Sequence, residues 1–187
     1  MANQSQYVVE PLRSQHDRKA FSCGEPSLDA YIQRKASQDV KRDLAACYVL
    51  SERDNTILGY YTLSASSVTL TDLPQDLAKK SGRYALVPAV LLGRIAVDLR
   101  FQGQGFSSLL LMDALRRTLR TGVGVKLMVV DALNDHAVSF YQHYEFQRFT
   151  DMPMRLYLPT GAIRTLFPQD AAARGQEPDQ GPEQVSL

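Results

Sequence analysis

Two nearly unbroken apolar segments, AVLLGRIAV (residues 89–97) and VKLMVVDAL (residues 125–133), constrain this chain more than anything else in it. A strand wetted on one face alternates apolar and polar residues, whereas one covered on both faces reads as a continuous apolar run. Between them lies GFSSLLLMDALRRTLRTG, in which residues 109–112, Leu115 and Leu119 form a wide apolar surface and Gly122 supplies a stop. Such a helix suits packing on a sheet. Buried strand, helix and buried strand make the chain an α/β protein.

The flanks fill in the architecture. YVVEPL reads as a first strand, and Ser27 as the N-cap of a helix whose stripe is Leu28, Tyr31, Ile32 and Ala36. AACYVLSERDNTILGYYTLSAS reads as a hairpin around Arg53, Asp54 and Asn55. LPQDLAKKSGRYALVP is an irregular or short helical connection. Asn134 or Asp135 caps a short helix, HAVSFYQHY, and MRLYLP supplies a last strand. The expected sheet is mixed. Residues 1–167 form one domain, and residues 168–187, rich in Pro, Gly, Gln and Asp, are expected to be a disordered tail.

Charge and composition exclude several classes. The tail carries four acids against one base, which leaves a mildly basic body in a chain of net charge +1. That is short of the charge density of an obligate nucleic-acid binder. No apolar run approaches the roughly 20 residues of a bilayer span, and the N-terminus has no signal-peptide pattern. With only Cys23 and Cys47, no disulfide framework is implied, and the cytoplasm is the expected compartment. Three histidines without a cysteine cluster argue against a metal site.

The junction after the first buried strand, RFQGQGFSS (residues 100–108), holds two glycines one residue apart. A tight turn would explain them. So would an anion brought close to bare main-chain N–H groups at the start of a helix, where the dipole is positive. No Gly-Lys-Ser/Thr closes the loop, and Ser108 stands where a dinucleotide fingerprint wants glycine.

The pattern Arg-x-x-Gly-x-Gly at residues 100–105, followed by NDHAVSFYQHYEF, resembles the GNAT N-acetyltransferases. The resemblance implies a GNAT fold, a mixed central sheet flanked by helices whose central strands splay to hold acetyl-CoA. It carries cofactor contacts to Ile95, Ala96, Val97, Arg100, Gln102, Gly103, Gln104, Gly105, Phe106, Ser107 and Asn134, and the catalytic role to Tyr141. Where the family commonly ends the tyrosine helix with glycine, this chain has Glu145, which puts the helix exit in question. Over residues 11–159 the chain looks like the GNAT toxins of type II toxin–antitoxin modules. That likeness implies aminoacyl-tRNA as acceptor, a ribbon–helix–helix antitoxin as partner, and a homodimer. Candidate RNA contacts are Arg34, Lys35, Lys41, Arg42, Lys79, Lys80, Arg83 and Arg94, each explained more simply as a solvated surface charge. A small-molecule or protein N-acetyltransferase and a non-catalytic CoA-binding module remain the alternatives.

Overall fold

The computed structural model describes residues 7–172. Seven strands form one sheet in the order β1-β2-β3-β4-β5-β7-β6: β1 Tyr7–Pro11, β2 Ala46–Glu52, β3 Ile57–Thr69, β4 Leu86–Val97, β5 Leu127–Asp131, β6 Gln147–Phe149 and β7 Met152–Pro159. All neighbours are antiparallel except β4 and β5, which run parallel. The connection between that pair is α4 (Phe106–Leu119), so the two apolar runs and the helix between them are a crossover unit. The expected mixed sheet is present.

Each face of the sheet is covered differently. On one face α4, α5 (Asp135–His143) and α6 (Thr160–Leu166) cover Leu58, Tyr61, Leu92, Val97, Met128 and Val130. Leu110, Leu111 and Leu115 of α4 are fully buried there, at about 1.5–3 kcal/mol apiece. On the other face, α1 (Pro26–Ala30), a π-helical turn (Tyr31–Lys35) and α2 (Ala36–Lys41) cover Val49, Tyr60 and Ala96. The short α3 (Gln75–Lys79) helps to cover Val87, Ala89 and Val129 further along that face.

Three expectations change. Helix α1 is capped by Glu25, whose carboxylate accepts from the Ser27 amide, so Ser27 lies inside the helix after Pro26. Strand β6 and helix α6 are additional elements. The tail departs from disorder at its start, since Pro168–Ala172 forms α7 and Asp170 accepts from both Arg116 and Arg120. Residues 173–187 of that expected tail lie outside the described residues. No helix among the described residues is long and apolar enough to cross a membrane.

The break in the central sheet positions everything that follows. Pairing between β4 and β5 covers only Ala89 to Leu92 against Leu127 to Val130. At that point β4 carries a bulge, Gly93, where its register with β3 shifts between Arg94↔Thr62 and Leu92↔Leu63. A bulge bends its strand and increases the local twist. Beyond it β4 stays with β3 to Val97, while the chain after β5 stays with β7 through the Ala132 amide and the Met154 carbonyl, 2.7 Å apart. From Gly93 to Val97 the edge of β4 that faces β5 has no strand partner.

Candidate active site

The open edge of β4 leads directly into the glycine loop. Asp98 caps the turn Leu99–Phe101 and is 1% exposed. Its carboxylate accepts from the amides of Ser22 and Arg100 and from the Arg100 guanidinium, at 2.8 Å to Nε and 3.0 Å to Nη2. Burial alone would raise this carboxyl, but the Arg100 and amide hydrogen bonds hold it below its ordinary value. The Gln102 side chain closes the other side, donating to the carbonyls of Val97 and Cys23 at 2.9 and 3.0 Å. The loop is therefore pinned at both shoulders.

Between those pins Gly103 and Gly105 have φ of +76° and +82°, left-handed values that favour glycine. A Cβ built on either meets nothing within 4 Å. Gly105 is the N-cap of α4 and offers no side chain to the helix, so the first amides of a 14-residue helix are left for an outside acceptor. Bare N–H groups, a positive helix end and open space beside the glycines fit a diphosphate. The unpaired β4 edge fits the amide-bearing arm of a ligand that adds to a sheet. Both features suit acetyl-CoA.

Tyr141 lies on α5, 4% exposed, in the apolar cluster that holds Val97 and Ile95. Burial alone pushes its phenol well above the ordinary value, and no charged group acts on it. The hydroxyl makes no hydrogen bond among the described residues, whose one fully buried, unpartnered side-chain polar atom is the Tyr31 hydroxyl. The helix exit is settled by Glu145, which adopts φ +66°. The Phe146 amide then bonds the Tyr141 carbonyl and the Glu145 amide bonds that of Gln142, with the Phe146 and Tyr141 rings 5.4 Å apart. This is a Schellman closure with its hydrophobic contact, made without glycine.

The candidate residues fare differently. Ile95, Ala96 and Val97 lie on the open edge, and Gln102, Gly103, Gln104, Gly105, Phe106 and Ser107 make the loop and the helix start. The Phe106 side chain itself belongs to the core, 5.1 Å from the Tyr7 ring. Arg100 pairs with Asp98 and thereby helps to fix the loop, while its side chain stays about half exposed. Asn134 is the N-cap of α5, its Oδ1 accepting from the Ala137 amide at 2.9 Å. Arg34, Lys35, Lys41 and Arg42 are exposed on and after the π-turn, and Lys79, Lys80 and Arg83 are exposed on and after α3. Arg94 is half-buried, its guanidinium over the Tyr31 ring.

Asp98 escaped the sequence reading, although an acid at the end of a buried strand, two residues before an arginine, is a turn-capping signal. Cavities of about 460 and 520 Å³ open elsewhere, beside Arg116, Arg117 and Arg120 and beside α3 and α6, away from the loop and Tyr141. Cys23 is no nucleophile, because burial and Asp29 raise its thiol to about 11.

The comparisons agree with this geometry. The model of the acetyltransferase (GNAT) family matches residues 13–146. A tRNA-acetylating toxin of Mycobacterium tuberculosis (strain ATCC 25618 / H37Rv) is 36% identical over 153 residues, covering 81% of this chain and 90% of that protein. The structure of AtaT complexed with acetyl-methionyl-tRNAfMet superposes with a TM-score of 0.81 at 30% identity, over 86% of this chain and 99% of that one. A tyrosine-to-phenylalanine mutant of the AtaT toxin, bound to the C-terminus of the antitoxin AtaR and acetyl-CoA, gives 0.74 at 28% identity over 87% and 98%. With its broken β4–β5 pair, pinned glycine loop and buried tyrosine, the chain belongs to the GNAT family of acetyl-CoA-dependent N-acetyltransferases.

Proposed function

We propose that this chain acetylates the α-amino group of an amino acid carried on tRNA, and so acts as a toxin that blocks translation. The observation that carries the reading is Tyr141: a buried, neutral phenol with no internal hydrogen bond and no charged neighbour acting on it. When bound, acetyl-CoA supplies the thioester that the amine attacks. The main-chain amides of residues 102–107 hold the diphosphate, and the open edge of β4 orients the arm. Tyr141 donates its hydroxyl hydrogen toward the sulfur as the thiolate leaves. A thiol of pKa about 8.5 takes a proton from a phenol only uphill, so the hydroxyl works in large part by hydrogen bonding to developing charge.

The absence of charge around Tyr141 also bears on the acceptor. A lysine amine, with a pKa near 10.4, needs a base to become nucleophilic at neutral pH. An α-amine, near 7.7–8.0, is already partly neutral and can lose its proton to water. The Mycobacterium tuberculosis relative is a tRNA-acetylating toxin and AtaT is seen complexed with acetyl-methionyl-tRNAfMet, in accord with that preference. A ribbon–helix–helix antitoxin, a homodimer and a cytoplasmic site of action belong to the same reading.

The test is transfer of labelled acetyl from acetyl-CoA to a mixture of charged tRNAs, followed by hydrolysis and identification of the acetylated amino acid. Labelled N-acetyl amino acid is expected from the wild type, with growth arrest on expression and relief by Tyr141→Phe. Binding of acetyl-CoA without transfer to any charged tRNA sinks the reading.

A further inference from the structure

Among the described residues Arg94 is held against an aromatic ring without an ion pair or a hydrogen bond. Arg94 follows the Gly93 bulge and sits opposite Thr62 of β3. Its guanidinium carbon lies 3.7 Å from the centroid of the Tyr31 ring, and Tyr31 in turn stacks on Tyr60 at 17° between planes. Tyr60 is anchored by its hydroxyl to the Leu28 carbonyl at 2.8 Å, so the platform is rigid. Arg94 forms no ion pair and no hydrogen bond among the described residues, although every other arginine that stacks on a ring here also binds a carboxylate.

No carboxylate among the described residues lies within ion-pairing distance of it. Burial pushes the Cys47 thiol up to about 12, so it stays neutral beside Arg94. Burial and then the neighbouring Asp39 carboxylate raise the Tyr31 phenol well above its ordinary value, so the ring beneath Arg94 stays neutral. A half-buried guanidinium laid on a ring, with no carboxylate or carbonyl bound to it among the described residues, keeps its N–H donors for an outside acceptor.

Position says what that is. Along β4, Ala96 faces the α1–α2 cluster and Ala89 the α3 cluster, and Arg94 falls at the seam between them. That seam lies on the opposite face from Tyr141 and α4, at the stretch where β4 leaves β5. The π-helical turn that carries Tyr31 also carries the exposed Arg34 and Lys35. Those flexible side chains can attract a polyanion, whereas Arg94 has a fixed orientation. A planar guanidinium stacked on a ring keeps its N–H edge for a bidentate acceptor, for which a phosphodiester is the match.

We infer that Arg94, laid on Tyr31, binds a phosphodiester of the acceptor RNA and thereby sets the enzyme's preference for an amine carried on a nucleic acid. This rests on the aminoacyl-tRNA reading and adds the residue that recognises the RNA.

The experiment compares two acceptors bearing the same amino acid, an aminoacyl-tRNA and a 3′-aminoacyl adenosine that has no phosphodiester. The quantity read is the ratio of their kcat/KM values in wild type, Arg94→Gln and Arg94→Lys, with folding checked by thermal melting. Arg94→Gln lowers the ratio about 10- to 100-fold, the worth of a charge-assisted bond, mostly through KM for tRNA. It also flattens the salt dependence of tRNA use by about one phosphate contact. Arg94→Lys, with charge but no fork, recovers only part of the ratio. An unchanged ratio in a folded Arg94→Gln protein, or an equal loss on both acceptors, overturns the inference. If Arg94→Gln does not fold, a wild-type ratio in Arg94→Lys overturns it. Wild type that acetylates neither acceptor fells the functional reading instead, and the inference with it.

Discussion

At the scale of single residues, the role proposed for Tyr141 rests on one oxygen that no described residue bonds. Tyr141→Phe removes no internal hydrogen bond, so stability should change by less than about 1 kcal/mol while kcat falls about 100-fold or more, as thermal melting and steady-state kinetics will show. The pH profile follows from the two ionisations. Because burial raises the phenol's pKa, the protonated form that the proposed role requires persists above its ordinary value. The rate kcat/KM should climb with pH until the α-amine is neutral near 8, then stay level to at least about 10. A fall between pH 8 and 9 counts against the phenol. Glu145 makes the opposite kind of prediction. It holds φ +66° with a Cβ, so Glu145→Gly should raise stability by about 1 kcal/mol, or roughly 2–4 °C in Tm. Tyr141 was legible because its segment carries a family pattern. The conformation of Glu145 was not, because local sequence does not reveal whether surrounding contacts repay a left-handed residue.

At the scale of elements, the glycine loop behaves as a stiff bracket between β4 and α4. Gly105→Ala forces a Cβ at φ +82° into space that the protein leaves empty. The expected cost to stability is about 1–2 kcal/mol, and acetyl-CoA affinity by titration calorimetry should drop at least about tenfold. Asp98→Ala unpins the Ser22 and Arg100 amides and should cost about 1–3 kcal/mol. The Asp98 carboxyl is depressed in the folded state, so its contribution is complete above the unfolded value near 3.9 and lost as pH falls through the lower folded value. Wild type and Asp98→Ala should therefore converge in stability only in acid, below about pH 4. The buried strands and α4 could be read from their apolar runs and closing glycine. Strand β6 could not, because its three residues carry no period. The Gly93 bulge escaped too, since one glycine inside an apolar run says nothing about the register of its partner.

At the scale of the whole molecule, the C-terminal α7 is tied to α4 by Asp170, which bridges Arg116 and Arg120. Both arginines are about half exposed, so Asp170→Asn should lower Tm by no more than about 2 °C, and the difference should vanish in 1 M salt. Catalysis should not change. Composition alone placed this segment in an unstructured tail, because the docking site for Asp170 lies on a helix about 50 residues earlier. The broken pairing between β4 and β5 has a wider consequence. Only four residue pairs join the β1–β4 half of the sheet to the β5–β7–β6 half. Amides of Ile95 and Val97 on the free edge should exchange with deuterium rapidly in the unliganded protein and slow markedly once coenzyme is added. A molecule that enters this seam would act as a rung missing from the ladder, adding to the four residue pairs and the shared core that already tie the two halves.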